Sequence, residues 1–234
     1  MKMKISSITE PIIDFLFPAY CIGCGERLNK GHRFVCPTCF DALPKHHGME
    51  LYYDASERLK GLVPFTEYQT DLIFKESSIT QALIHKIKYS GFPSLGTELA
   101  RMFAPTHLRL GHFSDTTMIV PVPLLKSRLH KRGYNQSAFI AQGLAEVYQL
   151  PVVEDVLYRK GQRGTQTKKG KEARWTHVQG AFFVADSANI SGKRILVVDD
   201  VLTTGATLVQ AGRSLIDAGA ESISFYTLAL DVLL

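Results

Sequence analysis

Ile195-Leu196-Val197-Val198-Asp199-Asp200-Val201-Leu202-Thr203-Thr204-Gly205-Ala206-Thr207 is the stretch on which the fold turns. Four apolar residues read as a buried strand, two adjacent carboxylates end it, and a small, hydroxyl-rich turn opens the helical pattern of Ala206 to Ala218. Gly219 then stops that helix in the C′ position. A helix start of this kind offers backbone N–H groups and the positive end of a macrodipole to an anion. Gly205 and Ala206 keep the turn small enough for a phosphate to approach the backbone, and Thr203, Thr204 and Thr207 add hydroxyl donors. Asp199 and Asp200 can accept hydrogen bonds from vicinal sugar hydroxyls. Together these groups suit a phosphorylated ribose. A plain acidic strand end before a capped helix would explain an isolated Asp-Asp, but not the whole string. Neither a G-x-x-x-x-G-K-[ST] loop nor a G-x-G-x-x-G after a strand is present.

The flanking sequence alternates strand and helix patterns. Residues 78–89 read as a helix with Leu83, Ile84 and Ile87 on one face, and Leu95 to Phe103 as a second. Thr117 to Val120 is a short buried strand, and residues 136–148 a helix burying Phe139, Ile140, Leu144 and Val147. Ala181 to Val184, Lys193 to Val198 and Ser222 to Leu230 are further strands, and Leu62 to Phe65 begins a strand or hairpin. Residues 124–135 and 160–174 are polar and basic, and the second of these reads as a mobile loop. The expected class is α/β, a parallel sheet with helices on both faces. Ligands of such sheets bind beyond the carboxyl ends of the strands, where the Asp199-Asp200 pair is expected.

The chain has 234 residues, enough for one sizeable domain and a small appendage. With 45% apolar and 21% charged residues it fits a soluble globular protein rather than a disordered one. Its net charge of +5 favours anionic partners or simply aids solubility. No apolar run reaches the roughly 18 residues of a membrane span, and Glu10, Pro11 and Asp14 make the N-terminus a poor signal peptide. A cytoplasmic location follows as the expectation. Ile8 to Phe17 reads as a short helix packed on the body, with peripheral membrane contact as the alternative.

All four cysteines fall in two C-x-x-C pairs, Cys21/Cys24 and Cys36/Cys39. That spacing matches a closed structural zinc site of four thiolates. Two disulfides, a redox C-x-x-C and an iron–sulfur cluster are the rival readings; a cytoplasmic address argues against disulfides. The expected division is residues 1–60, holding helix, knuckle and linker, and residues 61–234, holding the α/β domain. His46 and His47 read as exposed linker residues.

Residues 195–207 resemble the phosphoribosyl pyrophosphate motif of the type I phosphoribosyltransferases. The double C-x-x-C knuckle narrows the resemblance to the competence-associated ComF family. So do Leu83-Ile84-His85-Lys86-Ile87-Lys88-Tyr89-Ser90-Gly91, and Val120-Pro121-Val122-Pro123 continuing through Arg128 and Arg132-Gly133-Tyr134-Asn135-Gln136. Gln166-Thr167, Arg174 and Gly180-Ala181-Phe182 follow in family order. The resemblance spans nearly the whole chain. It implies a type I phosphoribosyltransferase-like sheet with a small zinc domain, and a site that takes phosphoribosyl pyrophosphate with Mg2+. It makes Lys88-Tyr89-Ser90-Gly91 a pyrophosphate loop, with Lys88 meeting the leaving phosphate and Gly91 admitting the backbone. It makes Lys126 to Gln136 a flexible hood, where Arg128, Lys131 and Arg132 supply charge and Asn135 and Gln136 hydrogen bonds. Arg159, Gln166, Thr167 and Arg174 would line the opposite wall. Catalytic roles would fall on Asp199, Asp200, Lys88 and Arg132. His177 departs from the family's asparagine, and Lys168-Lys169-Gly170-Lys171 carries more charge than the pattern requires.

Two functions of different class follow. One is a transferase that moves 5-phosphoribosyl to an acceptor and releases pyrophosphate. The other, implied by the ComF resemblance, is a binding module in natural transformation, handling single-stranded DNA beside a helicase and the membrane channel. Basic segments at 126–132 and 159–174, with Tyr134, Tyr158 and Trp175, could track phosphates and stack bases, core packing being the alternative for each ring. The sequence shows no nucleobase pocket that would name an acceptor.

Overall fold

The computed structural model describes residues 19–29, 32–46, 55–160, 180–185 and 189–232. The chain divides into two units, Met1–Pro44 and Lys45–Leu234. The sequence reading placed this boundary after residue 60, because residues 45–60 are polar. Ala55 and Leu59 are nevertheless buried, in the same core as the strands of the second unit.

In the first unit, each C-x-x-C pair closes a tight turn. Tyr20 bridges Arg27, and Gly25 N–H returns to the carbonyl of Cys21 at 2.9 Å. Helix α1, Pro37–Asp41, starts from Cys36, whose sulfur accepts the N–H of Cys39, with Pro37 in the first turn where no N–H is needed.

The second unit is built on a four-stranded sheet. Its strands are β1 (Tyr68–Phe74), β2 (Met118–Pro121), β5 (Arg194–Leu202) and β6 (Ser222–Asp231), in the order β1-β6-β5-β2 and all parallel. Two short strands, β3 (Leu157–Arg159) and β4 (Phe182–Val184), pair separately and antiparallel. The helices are α2 (Ile79–Tyr89), α3 (Ser94–Arg109), α4 (Lys126–Arg132), α5 (Gln136–Tyr148) and α6 (Ala206–Asp217). Ile195 and Val197 of β5 share a core with Leu208, Val209, Ala211 and Leu215 of α6. Leu196 and Val198, alternating to the opposite face, are equally buried. Both faces are therefore covered, which is why β5 and β6 read as near-continuous apolar runs. Helices α3 and α5 approach closely at Gly143: a Cβ there would lie 2.3 Å from the carbonyl oxygen of Thr97.

Three local expectations differ from what is found. Residues 62–65 form no strand; β1 begins at Tyr68, past Pro64, with Thr66 N–H bonded to Ile223 O just ahead of it. The basic segment after Pro123 is not all loop, since Lys126–Arg132 is helix α4, closed by Gly133 at φ +82°. Strand β5 does not stop at Val198. It continues to Leu202 because β6 runs beside it, pairing Asp199 with Thr227 and Val201 with Ala229. The two carboxylates thus belong to the last four residues of the strand rather than to the loop beyond it.

Candidate functional site

Strand β5 holds Asp199 and Asp200 in fixed backbone geometry. Oδ1 of Asp199 accepts the N–H of Asp200 at 2.9 Å and the hydroxyl of Ser137 at 2.9 Å. Ser137 is fully buried near the start of α5, whose N-cap Asn135 also donates to Val122 O at 3.1 Å. Asp200 is only 5% exposed; its Oδ1 lies 2.9 Å from Lys88 Nζ, and its Oδ2 is buried with no protein partner. Burial, then the neighbouring Asp200 charge, push the Asp199 carboxyl up to about 7, against the hydrogen bonds from Asp200 and Ser137 and the charge of Lys88. Two carboxylates so close, one of them with an orphaned oxygen, suit a ligand that brings hydroxyl donors or a hydrated cation.

The turn after β5 is pinned from a distant part of the chain. Arg58 Nη1 donates to Thr203 O and to Asp231 O, both at 2.7 Å. Gly205 takes φ +80°, and a Cβ there would meet Leu59 Cδ2 at 2.9 Å and Arg58 O at 3.1 Å. Only glycine fits that backbone and that space. It is also the N-cap of α6 and supplies no side-chain cap, so the first-turn N–H groups are left for solvent or an anion. Thr203 and Thr204 are exposed beside it, and Ala206 and Thr207 half-buried.

Lys88, at the end of α2, connects the carboxylates to a second region. A cavity of about 580 Å³ is lined by Lys88, Tyr89, Gly91, Arg128, Lys131, Arg132 and Tyr134. Gly91 has φ +75° and open space around it, so the constraint there is the backbone conformation alone. The Arg132 guanidinium lies 5.0 Å from the centre of the Tyr89 ring, and its Nη1 donates to the buried Gln136. Tyr134 acts as a strut: its hydroxyl donates to Ile87 O at 2.7 Å and its ring meets Phe139 edge-on. On β3, Arg159 lies over the Phe182 ring at 5.2 Å; burial, then the charge of Arg128, lower its affinity for its proton, while Asp199 opposes that.

The structure thus brings Lys88 to Asp200 and places Tyr89, Gly91 and Arg132 around the adjoining cavity, with Thr203 to Thr207 continuous with β5. Gln166, Thr167, Arg174, Trp175 and His177 lie outside the described residues, as do His47 and the expected helix at 8–17. Arg58 and Ser137 escaped the sequence reading. A lone arginine in a polar stretch and a serine in a helix start carry no signal of their own.

In the first unit, the sulfurs of Cys21, Cys24, Cys36 and Cys39 all lie within 4.8 Å of one another. Sulfurs about 2.3 Å from one tetrahedral metal stand about 3.8 Å apart, and Cys24 Sγ to Cys36 Sγ is 3.8 Å. A disulfide needs about 2 Å, so the thiols are unbonded. Burial disfavours the Cys21 thiolate, but the N–H groups of Cys36, Cys24 and Gly23 outweigh it and bring the thiol down to about 6. A Cβ on Gly23 would press on Cys39 Sγ at 2.8 Å. This donor set fits a soft, tetrahedral metal ion.

The family model described as a phosphoribosyl transferase domain matches residues 129–231. Competence protein F of Haemophilus influenzae is 27% identical over 219 residues, covering 89% of this chain and 96% of that one. Competence protein ComFC of Bacillus subtilis is 25% identical, covering 89% and 82%. Over most of its length the chain is similar to the ComF competence proteins. Another ComF-type relative, the DNA utilization protein YhgH of Escherichia coli K12, is 25% identical over 90% of this chain and 96% of its own. The matched domain has the type I phosphoribosyltransferase fold. Among solved structures, the glutamine phosphoribosylpyrophosphate amidotransferase of Bacillus subtilis matches 61% of this chain and 30% of that one, with 19% identity and a TM-score of 0.41. No helix among the described residues is long and apolar enough to cross a membrane.

Proposed function

We propose that this protein binds phosphoribosyl pyrophosphate at the carboxyl end of β5 and handles single-stranded DNA in the uptake or utilisation of DNA. The observation that carries the first part is the Asp199-Asp200 pair, held beside Lys88 at the mouth of an uncapped helix start. In this reading the two carboxylates accept the vicinal ribose hydroxyls. The N–H groups of Gly205 to Thr207 and the threonine hydroxyls hold the 5-phosphate, and Lys88, Gly91 and Arg132 face the pyrophosphate. Mg2+ would come with the pyrophosphate and neutralise part of its charge. In the knuckle, Cys21, Cys24, Cys36 and Cys39 would hold a structural Zn2+. The DNA role is supported by the ComF relatives and by the cations of α4, with the stacked rings of Tyr158 and Phe183 on the β3–β4 pair.

The cation-lined cavity next to Lys88 favours transfer chemistry as a second reading. The bond between ribose C1 and the pyrophosphate oxygen would break with its electron pair leaving on the pyrophosphate. An acceptor lone pair would then form the new bond at C1. Lysine and arginine side chains there would stabilise the departing charge.

Equilibrium dialysis with labelled phosphoribosyl pyrophosphate and Mg2+ tests the binding. Retention of label by the parent chain is expected, and its absence would remove the proposal's first part. A screen for released pyrophosphate across candidate acceptors, single-stranded DNA included, decides the second reading. Strand affinity that does not fall steeply with salt would count against the DNA role.

A further inference from the structure

The turn between β5 and α6 is gripped from one side by Arg58. That residue sits on a single helical turn, closed by the N–H groups of Leu59 and Lys60 on Ser56 O at 3.0 and 2.8 Å. Leu59 is fully buried and anchors the turn in the core. From there Arg58 Nη1 donates to Thr203 O and to Asp231 O, each at 2.7 Å. Asp231 ends β6 and pairs with Phe74 of β1, so the second bond ties the guanidinium to the sheet. The first bond orients the peptide that joins Thr203 to Thr204. No peptide among the described residues is cis, and the C=O and N–H of a trans peptide point in opposite directions. With the Thr203 carbonyl held toward Arg58, the Thr204 N–H is aimed away from it. The Arg58 side is closed, since a Cβ on Gly205 would meet Leu59 Cδ2 and Arg58 O. The other side is open: Thr203 and Thr204 are exposed, and among the described residues the Thr204 N–H has no backbone acceptor. A charged donor on the carbonyl also polarises the peptide and strengthens its N–H as a donor.

We propose that Arg58 is a positioning residue for the 5-phosphate: acting through the peptide between Thr203 and Thr204, it aims and strengthens the Thr204 N–H as a phosphate donor. This role rests on the functional reading above, in which the turn takes the 5-phosphate, and it adds the Thr204 N–H to that cradle. Its reach is local. Lys88 and Arg132, which face the pyrophosphate in the same reading, stand on α2 and α4. Loss of Arg58 therefore weakens the hold on one end of the ligand and leaves the other end unchanged. A staple that only stabilised the fold would show no such division.

The test titrates the full chain with three probes: ribose 5-phosphate, pyrophosphate with Mg2+, and phosphoribosyl pyrophosphate with Mg2+. Arg58→Ala should weaken ribose 5-phosphate and phosphoribosyl pyrophosphate about tenfold each, in the range of one lost charge-assisted hydrogen bond, and bind pyrophosphate like the parent. Arg58→Lys keeps the charge and enough donors for both carbonyls, and should return to within about threefold of the parent. In amide-resolved NMR, saturating ribose 5-phosphate should move the Thr204 amide proton downfield in the parent, and by less in the neutral variant Arg58→Gln. Parent-like affinity for ribose 5-phosphate in Arg58→Ala overturns the proposal and leaves the sugar-phosphate reading intact. Equal weakening of ribose 5-phosphate and pyrophosphate also overturns it, as the mark of a general loss of structure. Should Arg58→Ala fail to fold, Arg58→Gln decides: a Thr204 shift equal to the parent's overturns the proposal. A parent chain that binds neither sugar phosphate overturns the functional reading, and the role of Arg58 falls with it.

Discussion

Lys88 Nζ sits 2.9 Å from Oδ1 of Asp200, joining the end of α2 to the carboxyl end of β5. The pair links two segments 112 residues apart in sequence, and it leaves Oδ2 of Asp200 buried without a protein partner. A mostly buried ion pair adds little net stability over apolar packing, but removing one partner strands the other charge.

Lys88→Ala should therefore destabilise the fold by about 2 kcal/mol, the upper range being tempered by the part-exposed lysine. Adding Asp200→Asn to Lys88→Ala should restore most of that loss. Urea denaturation of the three variants reads the coupling; additive losses would mean that the contact is energetically idle.

Asp199 gives the fold a definite pH dependence. Its carboxyl is held up to about 7, mainly by burial and then by the Asp200 charge, whereas an unfolded aspartate titrates near about 3.9. Between those values the native state binds the extra proton, so stability should fall as pH rises from about 4 to about 7. Asp199→Asn should flatten that limb. Stability that rises through this window in the parent, or an unchanged slope in the variant, would contradict the assignment. Binding of phosphoribosyl pyrophosphate, if it uses both carboxylates ionised, should tighten as pH passes upward through 7.

Gly205→Ala combines a left-handed backbone with a Cβ 2.9 Å from Leu59 Cδ2. A loss of about 1–3 kcal/mol is expected, together with weakened phosphoribosyl pyrophosphate binding as the turn moves. Gly91→Ala tests the backbone term alone, since nothing lies within 4 Å of its Cβ position, and should cost less in stability. Thermal melting and dialysis on both variants separate the two effects.

The knuckle should carry one zinc per chain, measured by elemental analysis of the purified protein. Cys36→Ser should lower that stoichiometry and unfold the first unit, because Cys36 also caps α1. Gly23→Ala should weaken zinc retention through its 2.8 Å approach to Cys39 Sγ. Full metal content in Cys36→Ser would contradict a four-cysteine site.

The sheet class and most of the elements of the second unit were legible because strongly patterned segments declare themselves. The runs 195–198 and 222–230 and the periodic helices at 78–89 and 136–148 reappear within a few residues. What escaped depends on partners far away in sequence. The extension of β5 through Asp199 and Asp200 comes from β6 beside it. The inclusion of Ala55 and Leu59 in the core, and the hold of Arg58 on Thr203, bring together residues up to 145 positions apart, and polar composition alone read that stretch as a linker. Helix α4 is short and almost wholly exposed, so no apolar period marked it. At the candidate site, the sequence named the carboxylates and the turn. Ser137, which orients Asp199, became visible only once α5 was packed against β5.

The most direct measurement is calorimetric titration of phosphoribosyl pyrophosphate with Mg2+ into the parent chain and into the Asp199→Asn/Asp200→Asn double variant. Saturable one-to-one binding by the parent is expected, with a loss of at least about tenfold in a double variant that still folds. Parent-like affinity in the double variant, or no binding by the parent, would contradict it.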